Sequence, residues 1–395
     1  MGALDGLTVL DLGLLVQGPQ AAALLRDMGA SVVKVELPGV GDQARWIPLG
    51  PGDPRSGFFE GCNRGKRSVT IDLRRPEGAD VFRRLAASAD IVISNFKTGT
   101  LDEWGLGYEA LREINPGIIW AAGSAFGPVG PDREREGADL AGQAAGGLIS
   151  TTGGDGAEPT PVGVTIADHI GSLNLVSGVL AALVARADTG LGQKVEVSLL
   201  GGQIWAQASE LSYYLMTDRV PGRSNYGHPM IPAAYRIFRT ADGWIGLIGI
   251  PPAARPSFLE ALGRPELADD PLFGDIIPTP QQLAGQLALL EEIFPTKTSD
   301  EWAERLHGAG VRYAPVRDYA GVAADPGAWE NGYLVEVDDA ERGRVKVVGN
   351  PIRMSATPLS PGVRTPELGQ HTEEVLLEHG YSWDDIAALR EIEVI

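Results

Sequence analysis

The chain is short of the features that mark several large classes of protein. It has one cysteine, Cys62, among 395 residues, so no intrachain disulfide is possible and a reducing, cytoplasmic setting is the expectation. Its five histidines, His169, His228, His307, His371 and His379, show no metal-ligand spacing, so no metal site is expected. Basic residues are in deficit. Lys and Arg number 33 against 52 Asp and Glu, a formal net charge of -19, which argues against a nucleic-acid or anionic-membrane partner. No uninterrupted apolar run approaches the ~20 residues that span a bilayer. The opening "MGALDGLTVLDLG" lacks the basic and apolar regions of a signal peptide. Two catalytic signatures are also missing. Without a G-x-S-x-G elbow a hydrolase triad has no support. The first strand–helix turn, "DLGLLVQGPQAA", holds Gly13 and Gly18 without dinucleotide or P-loop spacing, which disfavours a dehydrogenase.

What is present is an alternation of strand and helix signals. "TVLDLG" (8–13), "SVVKVE" (31–36), "SVTIDL", "DIVIS" and "GIIWAAG" read as short buried strands. Helical text separates them: "PQAAALLRDMG", "PEGADVFRRLAASA" and "YEALREI". Single helices between strands imply parallel pairing and a Rossmann-like α/β domain. Ile170, Leu173, Val176, Leu180, Leu183 and Val184 recur at three and four, predicting an amphipathic helix over 170–186. The text changes near "PGRSNYGHP". The expected organisation is a large domain over 1–200, a linker helix over 201–224, and a small α+β domain over 225–320. Residues 321–395 then form a linker and a return to the large domain.

Two stretches could carry chemistry. "CNRGKRSVTIDLRR" gathers Arg64, Lys66, Arg67, Arg74 and Arg75 in an acidic protein with six lysines. It reads as a phosphate site or as a solvated charged face. Asp168, in "PVGVTIADHIGSL", opens a long apolar helix with small or apolar residues before it and no cation nearby. A helix cap is one reading, worth ~1 kcal/mol; a carboxylate nucleophile aimed at an electrophilic carbonyl is the other. His169 is adjacent in sequence, but neighbouring helical residues point in different directions.

The order of motifs resembles the class III CoA-transferases, the group that includes formyl-CoA transferase, the carnitine CoA-transferases and the α-methylacyl-CoA racemases. The resemblance runs from "LDGLTVLDLG" to "LGQHTEEVLLEHGY". It passes through "GASVVKVELPGVGDQAR", "NRGKRSVTIDLRRPEG", "ADIVISNFKTGTLDEWGLGYEALREINPGIIW", "ADLAGQAAGGL", "PTPVGVTIADHIGSL" and "TGLGQKVEVSLL". It implies that Asp168 is the nucleophile, working through a mixed anhydride and an aspartyl-CoA thioester. Coenzyme A moves from an acyl-CoA to a carboxylic acid, with no permanently bound cofactor. It implies CoA contacts at Val16 and Gln17, at Ile71, Asp72, Leu73 and Arg74, and at Asn95, Phe96 and Lys97. It implies two interlocked copies of a Rossmann-like large domain joined to a smaller domain. There are departures. Val16 stands where formyl-CoA transferase has Gln, and Glu103 where that enzyme has Arg. Ala138 stands where the racemase branch needs a His, which disfavours the alternative reading as an acyl-CoA racemase or epimerase.

Overall fold

The computed structural model describes residues 2–395. Two compact units divide the chain. One holds the chain up to Gly147 with Val162–Ala206 and Pro326–Ile395; the other holds Leu148–Pro161 and Gln207–Asp325.

The first unit begins with β1 (Thr8–Asp11), α1 (Gln17–Asp27), β2 (Ser31–Glu36), α2 (Gly57–Asn63), β3 (Arg67–Thr70) and α3 (Pro76–Ala86). It continues through β4 (Ile91–Ser94), α4 (Thr100–Glu103), α5 (Tyr108–Ile114), β5 (Ile119–Ser124) and α6 (Asp139–Ala145). After α7 (Leu148–Thr151), which lies in the other unit, come α8 (Ile166–Thr189), β6 (Lys194–Ser198) and α9 (Leu199–Ala206). The six strands pair in the order β3-β2-β1-β4-β5-β6, all parallel. Successive residues feed opposite faces. Val9, Val32, Ile91 and Ile119 join α1 and α8 in one core, while Leu10, Val33, Val92 and Trp120 join Phe82 and Leu111 in the other. Strands buried on both faces explain why these segments read as unbroken apolar runs.

The tail closes this unit. It comprises α15 (Pro326–Glu330), the antiparallel pair β10 (Leu334–Asp339) and β11 (Gly343–Val348), α16 (Thr372–Glu378) and α17 (Trp383–Glu391). The Asp72 N–H donates to the Val394 carbonyl at 2.8 Å and the Thr70 N–H to Thr372 Oγ1 at 3.0 Å.

Helix α8 departs from expectation twice. It is 24 residues long with a mean hydropathy of 1.6 in its most apolar window, so by length and composition it could cross a bilayer, although no such segment was expected. Leu175, Val176, Val179 and Ala182 are nevertheless buried against the sheet, the place of a core helix. The buried face also matches the expected stripe only in part: Val176 is buried and Leu180 and Leu183 pack against the same core. That face consists of Ala167, Gly171, Ser172, Leu175, Val176, Val179 and Ala182, whereas Leu173 and Val184 are exposed. A helix apolar on all sides gives periodicity no polar face to register against. The small residues lie where another element comes close.

The second unit contains α7, α10 (Ala208–Thr217), α11 (Arg255–Leu262), α12 (Pro280–Ile293), α13 (Ser299–Leu306) and α14 (Tyr319–Ala323). Its antiparallel sheet is β7 (Tyr235–Arg239), β8 (Trp244–Ile248) and β9 (Tyr313–Pro315). Phe238, Phe258, Phe294 and Trp302 form its core. Residues 148–161 belong here rather than to the large domain, because long-range backbone bonds bind them: the Ser224 N–H to the Thr151 carbonyl at 2.9 Å and the Asn225 N–H to the Gly153 carbonyl at 3.1 Å. The expected linker helix over 201–224 is instead α9 and α10, which fall in different units.

Candidate active site

Strand order reverses between β1 and β4, and in an open parallel sheet the crevice outside the strand carboxyl ends at that point is the natural ligand site. A cleft of about 290 Å³ lies there. Leu14, Leu15 and Gln17 line it after β1, residues 95–98 after β4, and Arg133 with residues 135–138 on the loop into α6. Asp168 opens into the same cleft.

Asp168 is the third residue of α8, and the cap residue Thr165 makes no side-chain cap bond. The free N–H groups of the helix start go to another carboxylate. Asp139 Oδ1 accepts from the Ala167 N–H at 2.7 Å and, more weakly, from the Asp168 N–H at 3.4 Å. Gln143, one turn further along α6, donates to Asp139 Oδ2 at 2.7 Å and accepts from the Val162 N–H at 2.9 Å. The "ADLAGQ" stretch therefore holds the "PVGVTIAD" stretch in place. Gly142 permits the approach, since a Cβ there would sit 2.8 Å from the Leu199 Cβ and 3.0 Å from the Ala167 Cβ.

With Asp139 as the cap, the Asp168 carboxylate is left to the cleft. No donor or cation among the described residues offsets its burial. Burial, reinforced by the like charge of Asp139, pushes its pKa up to about 7. Ser172, one turn on, donates to the backbone carbonyls of both Asp168 and Gln17, at 2.9 and 2.7 Å, fixing α1 and α8 to each other. His169 faces elsewhere. Its ring nitrogens meet Gln20 Oε1 and Thr165 Oγ1, and it lines a separate cavity with Ser172 and Leu173.

The turn between β1 and α1 is held from beneath by buried ions. Leu15 is left-handed, with φ 61°, a conformation that costs a non-glycine residue of order 1–3 kcal/mol. Its N–H donates to Asp42 Oδ1 at 2.9 Å. Asn95 clasps Leu14, accepting from its N–H at 2.7 Å and donating to its carbonyl at 2.9 Å. Lys34 Nζ reaches the Gly13 carbonyl at 2.8 Å and Asp42 at 2.9 Å. Lys66 Nζ reaches Asp11, the Pro19 carbonyl and Asn63, at 2.7, 2.7 and 2.8 Å. These contacts present Gln17, whose buried carboxamide lies between Gly123 and Gly171. A Cβ on those glycines would come within 2.3 Å of Oε1 and 2.5 Å of Nε2. The Gln17 Nε2 is buried without a hydrogen-bond partner, an uncommon state for a buried amide.

Of the residues implicated from sequence, Asp168, Gln17, Asn95, Phe96 and Lys97 share this cleft. Asn95 is occupied by the Leu14 backbone, which makes it a positioning group. Val16 is buried and does not line the cleft. Ile71, Asp72, Leu73 and Arg74 also lie outside its lining, just past the edge strand β3, and Ile71 and Leu73 belong to the core.

The basic cluster is dispersed rather than convergent. Lys66 is buried under the turn. Arg67 meets Glu374 and Glu378, Arg74 pairs with Asp72, and Arg75 donates to the Ile392 carbonyl. Arg64 donates to three backbone carbonyls, those of Glu60, Val348 and Gly362. The partners of Arg64, Arg67 and Arg75 come largely from the tail some 300 residues away, which local sequence cannot reveal. The cations that do line the cleft are Lys97, Arg133 and Arg135. Sequence reading missed the two arginines, and it missed Asp139 and Gln143. No His, Cys, Asp and Glu group among the described residues is arranged to hold a metal ion.

Comparison with known proteins bears on this cleft. The chain is 36% identical to the succinyl-CoA:mesaconate CoA-transferase of Haloarcula hispanica, over 96% of this chain and 97% of that one. It is 34% identical to the succinyl-CoA–D-citramalate CoA-transferase of Chloroflexus aurantiacus, over 99% and 98%. Its fold matches the crystal structure of a CAIB/BAIF family protein from Brucella suis with a TM-score of 0.84 and 35% identity, over 96% of this chain and 99% of that one. The sequence model of CoA-transferase family III matches residues 4–372. The chain belongs to that family and is a CoA-transferase, an enzyme whose substrates are CoA thioesters and carboxylic acids.

Proposed function

We propose that this transferase works by covalent catalysis at Asp168. The observation that carries the reading is a cleft carboxylate relieved of helix capping by Asp139 and left without a cation, its pKa raised to about 7. A more basic carboxylate is a better nucleophile, and this one is half ionised near neutral pH and fully ionised above it.

In the first step an Asp168 oxygen attacks the thioester carbonyl, the C–S bond breaks, and CoA leaves as thiolate. The product is a mixed anhydride. The thiolate then attacks the Asp168 acyl carbon, releasing the donor acid as its carboxylate and leaving an aspartyl-CoA thioester. An acceptor carboxylate attacks that thioester, the C–S bond breaks and CoA leaves as thiolate from a second mixed anhydride; the thiolate then attacks the acceptor acyl carbon, forming the new acyl-CoA and releasing Asp168 as its carboxylate. The unpartnered Gln17 Nε2 is a donor suited to the oxygen that gains charge at each addition. Lys97 and Phe96 border the path of the CoA arm. Succinyl-CoA in the names of both relatives supports a short dicarboxylic donor.

Exposed apolar side chains support assembly with a second copy, in the interlocked form the family resemblance implies. Trp205 and Met216 are 75% and 83% exposed, and Leu173 and Val184 join them.

Asn caps helices about as well as Asp, so Asp168→Asn separates capping from chemistry. The variant is expected to fold and to lose about four powers of ten in turnover, ~5.5 kcal/mol of barrier. Near-normal turnover in the steady-state assay contradicts the proposal.

A further inference from the structure

The cleft carries two arginines that neither the nucleophile nor the turn requires. Arg133 and Arg135 stand on the loop that leads into α6, the helix whose Asp139 sets the start of α8. Each now has a partner close in sequence: Arg133 meets Glu134 at 2.8 Å, and Arg135 meets Asp132 at 3.3 Å with its guanidinium 4.6 Å from the Phe126 ring centroid. Such exposed local pairs are weak, so the guanidinium groups can be drawn to an anionic substrate.

CoA offers two kinds of anion, its phosphates and any second carboxylate on the acyl group. Reach separates them. At about 290 Å³ the cleft is at the lower end of the range for small-molecule pockets, too small for a whole CoA thioester. The pantetheine arm between sulfur and pyrophosphate spans on the order of 15 Å when extended, as much as four or five residues. With the thioester carbon at Asp168, the pyrophosphate falls outside the cleft, whereas a carboxylate two or three carbons beyond the carbonyl stays inside it. The third cation, Lys97, also borders a small second cavity beside Trp120 and Lys194, which places it on the rim. A planar guanidinium matches a carboxylate with two parallel hydrogen bonds, which an ammonium cannot do. Glu136 lines the same cleft and repels a carboxylate that the arginines do not hold.

Resting on the acyl-transfer reading above, we infer that Arg133 and Arg135 recognise the free carboxylate of a dicarboxylic acyl group and set the preference for such donors. Succinyl-CoA and butyryl-CoA, equal in chain length, are the probes. The wild type favours succinyl-CoA. Arg133→Gln with Arg135→Gln lowers kcat/KM for succinyl-CoA by about 10–100-fold, the scale of lost charge-assisted hydrogen bonds. The same change leaves butyryl-CoA within about twofold and the melting temperature unaltered. Equal losses with both thioesters assign the arginines to the CoA phosphates and overturn the inference. So does an unchanged preference, or a wild type that prefers butyryl-CoA. Dissociation constants of the two thioesters on the Asp168→Asn protein test recognition without turnover. Failure of the nucleophile proposal would leave their ratio intact, whereas failure of this inference would make them equal.

Discussion

Asp11 and Asp168 stand at the same end of one sheet, and burial acts on both, with opposite results. Asp11 ends β1 and is wholly buried. Burial alone would raise its pKa, but Lys66 at 2.7 Å and Lys34 at 3.9 Å outweigh it, and the net shift is downward. Among the described residues Asp168 meets no cation, and burial together with the like charge of Asp139 raises it to about 7. On the proposed mechanism, compensation marks the structural carboxylate and its absence marks the nucleophile. The two are linked mechanically. Asp11, Lys34, Lys66 and Asp42 lock the turn that presents Gln17 to the cleft, so the compensated cluster builds a wall of the uncompensated site.

The contrast can be broken at either end. Asp11→Asn strips Lys66 and Lys34 of a buried counter-charge and is expected to destabilise the protein by about 3–5 kcal/mol in urea unfolding. Wild-type stability in that variant would remove the compensated half of the comparison.

The opposite sign is expected at Asp168. A carboxyl whose folded pKa exceeds its unfolded value binds its proton more tightly when folded. Its contribution to stability falls as pH rises from about 4 to about 7 and stays lost above that. Asp168→Asn escapes this loss. Discounting for partial exposure, it should be more stable than the wild type by about 1–2 kcal/mol at pH 8 and nearly equal at pH 4. A destabilised variant at pH 8 would mean that the carboxylate has a partner after all.

Asp139→Asn sharpens the same point. It keeps an oxygen for the α8 N–H groups but removes the like charge. In the wild type, the proposed attack by the ionised carboxylate requires kcat/KM to rise with pH through about 7 and then level. In the variant the rising limb should move to lower pH, a gain of up to about tenfold near pH 6 relative to each plateau. An unmoved limb assigns the raised pKa to burial alone. The smallest effect belongs to Arg74, an exposed side chain whose partner Asp72 is mostly buried but also accepts from the Arg74 backbone N–H. Arg74→Gln should change stability by less than about 1 kcal/mol.

Much of the frame could be read from the chain. The strand at 31–36 has the bounds expected of it and a helix lies at 108–114 where one was read, because local apolar pattern and turn residues decide both. Asp168 could be singled out but not assigned from its surroundings, since a cap and a nucleophile look alike in one dimension. What takes the cap role from Asp168 is Asp139, 29 residues earlier, and only folding brings the two together. Lys66 shows the opposite error. In sequence it is one of five clustered cations; in the fold it is a buried counter-charge to Asp11, 55 residues away. The buried face of α8 was legible only in part for a third reason, that the small residues Gly171 and Gly178 form some of its closest contacts.

The account turns on a covalent bond at Asp168. The enzyme is incubated with succinyl-CoA alone, at pH values on both sides of 7. The adduct is converted with hydroxylamine to a hydroxamate or with borohydride to an alcohol, and peptides are mapped by mass spectrometry. The account predicts a mark on the "TIADHIG" segment, on the carboxyl of Asp168, whose initial rate of formation rises with pH through about 7. A mark on any other carboxyl, or full turnover with no adduct under these conditions, contradicts it.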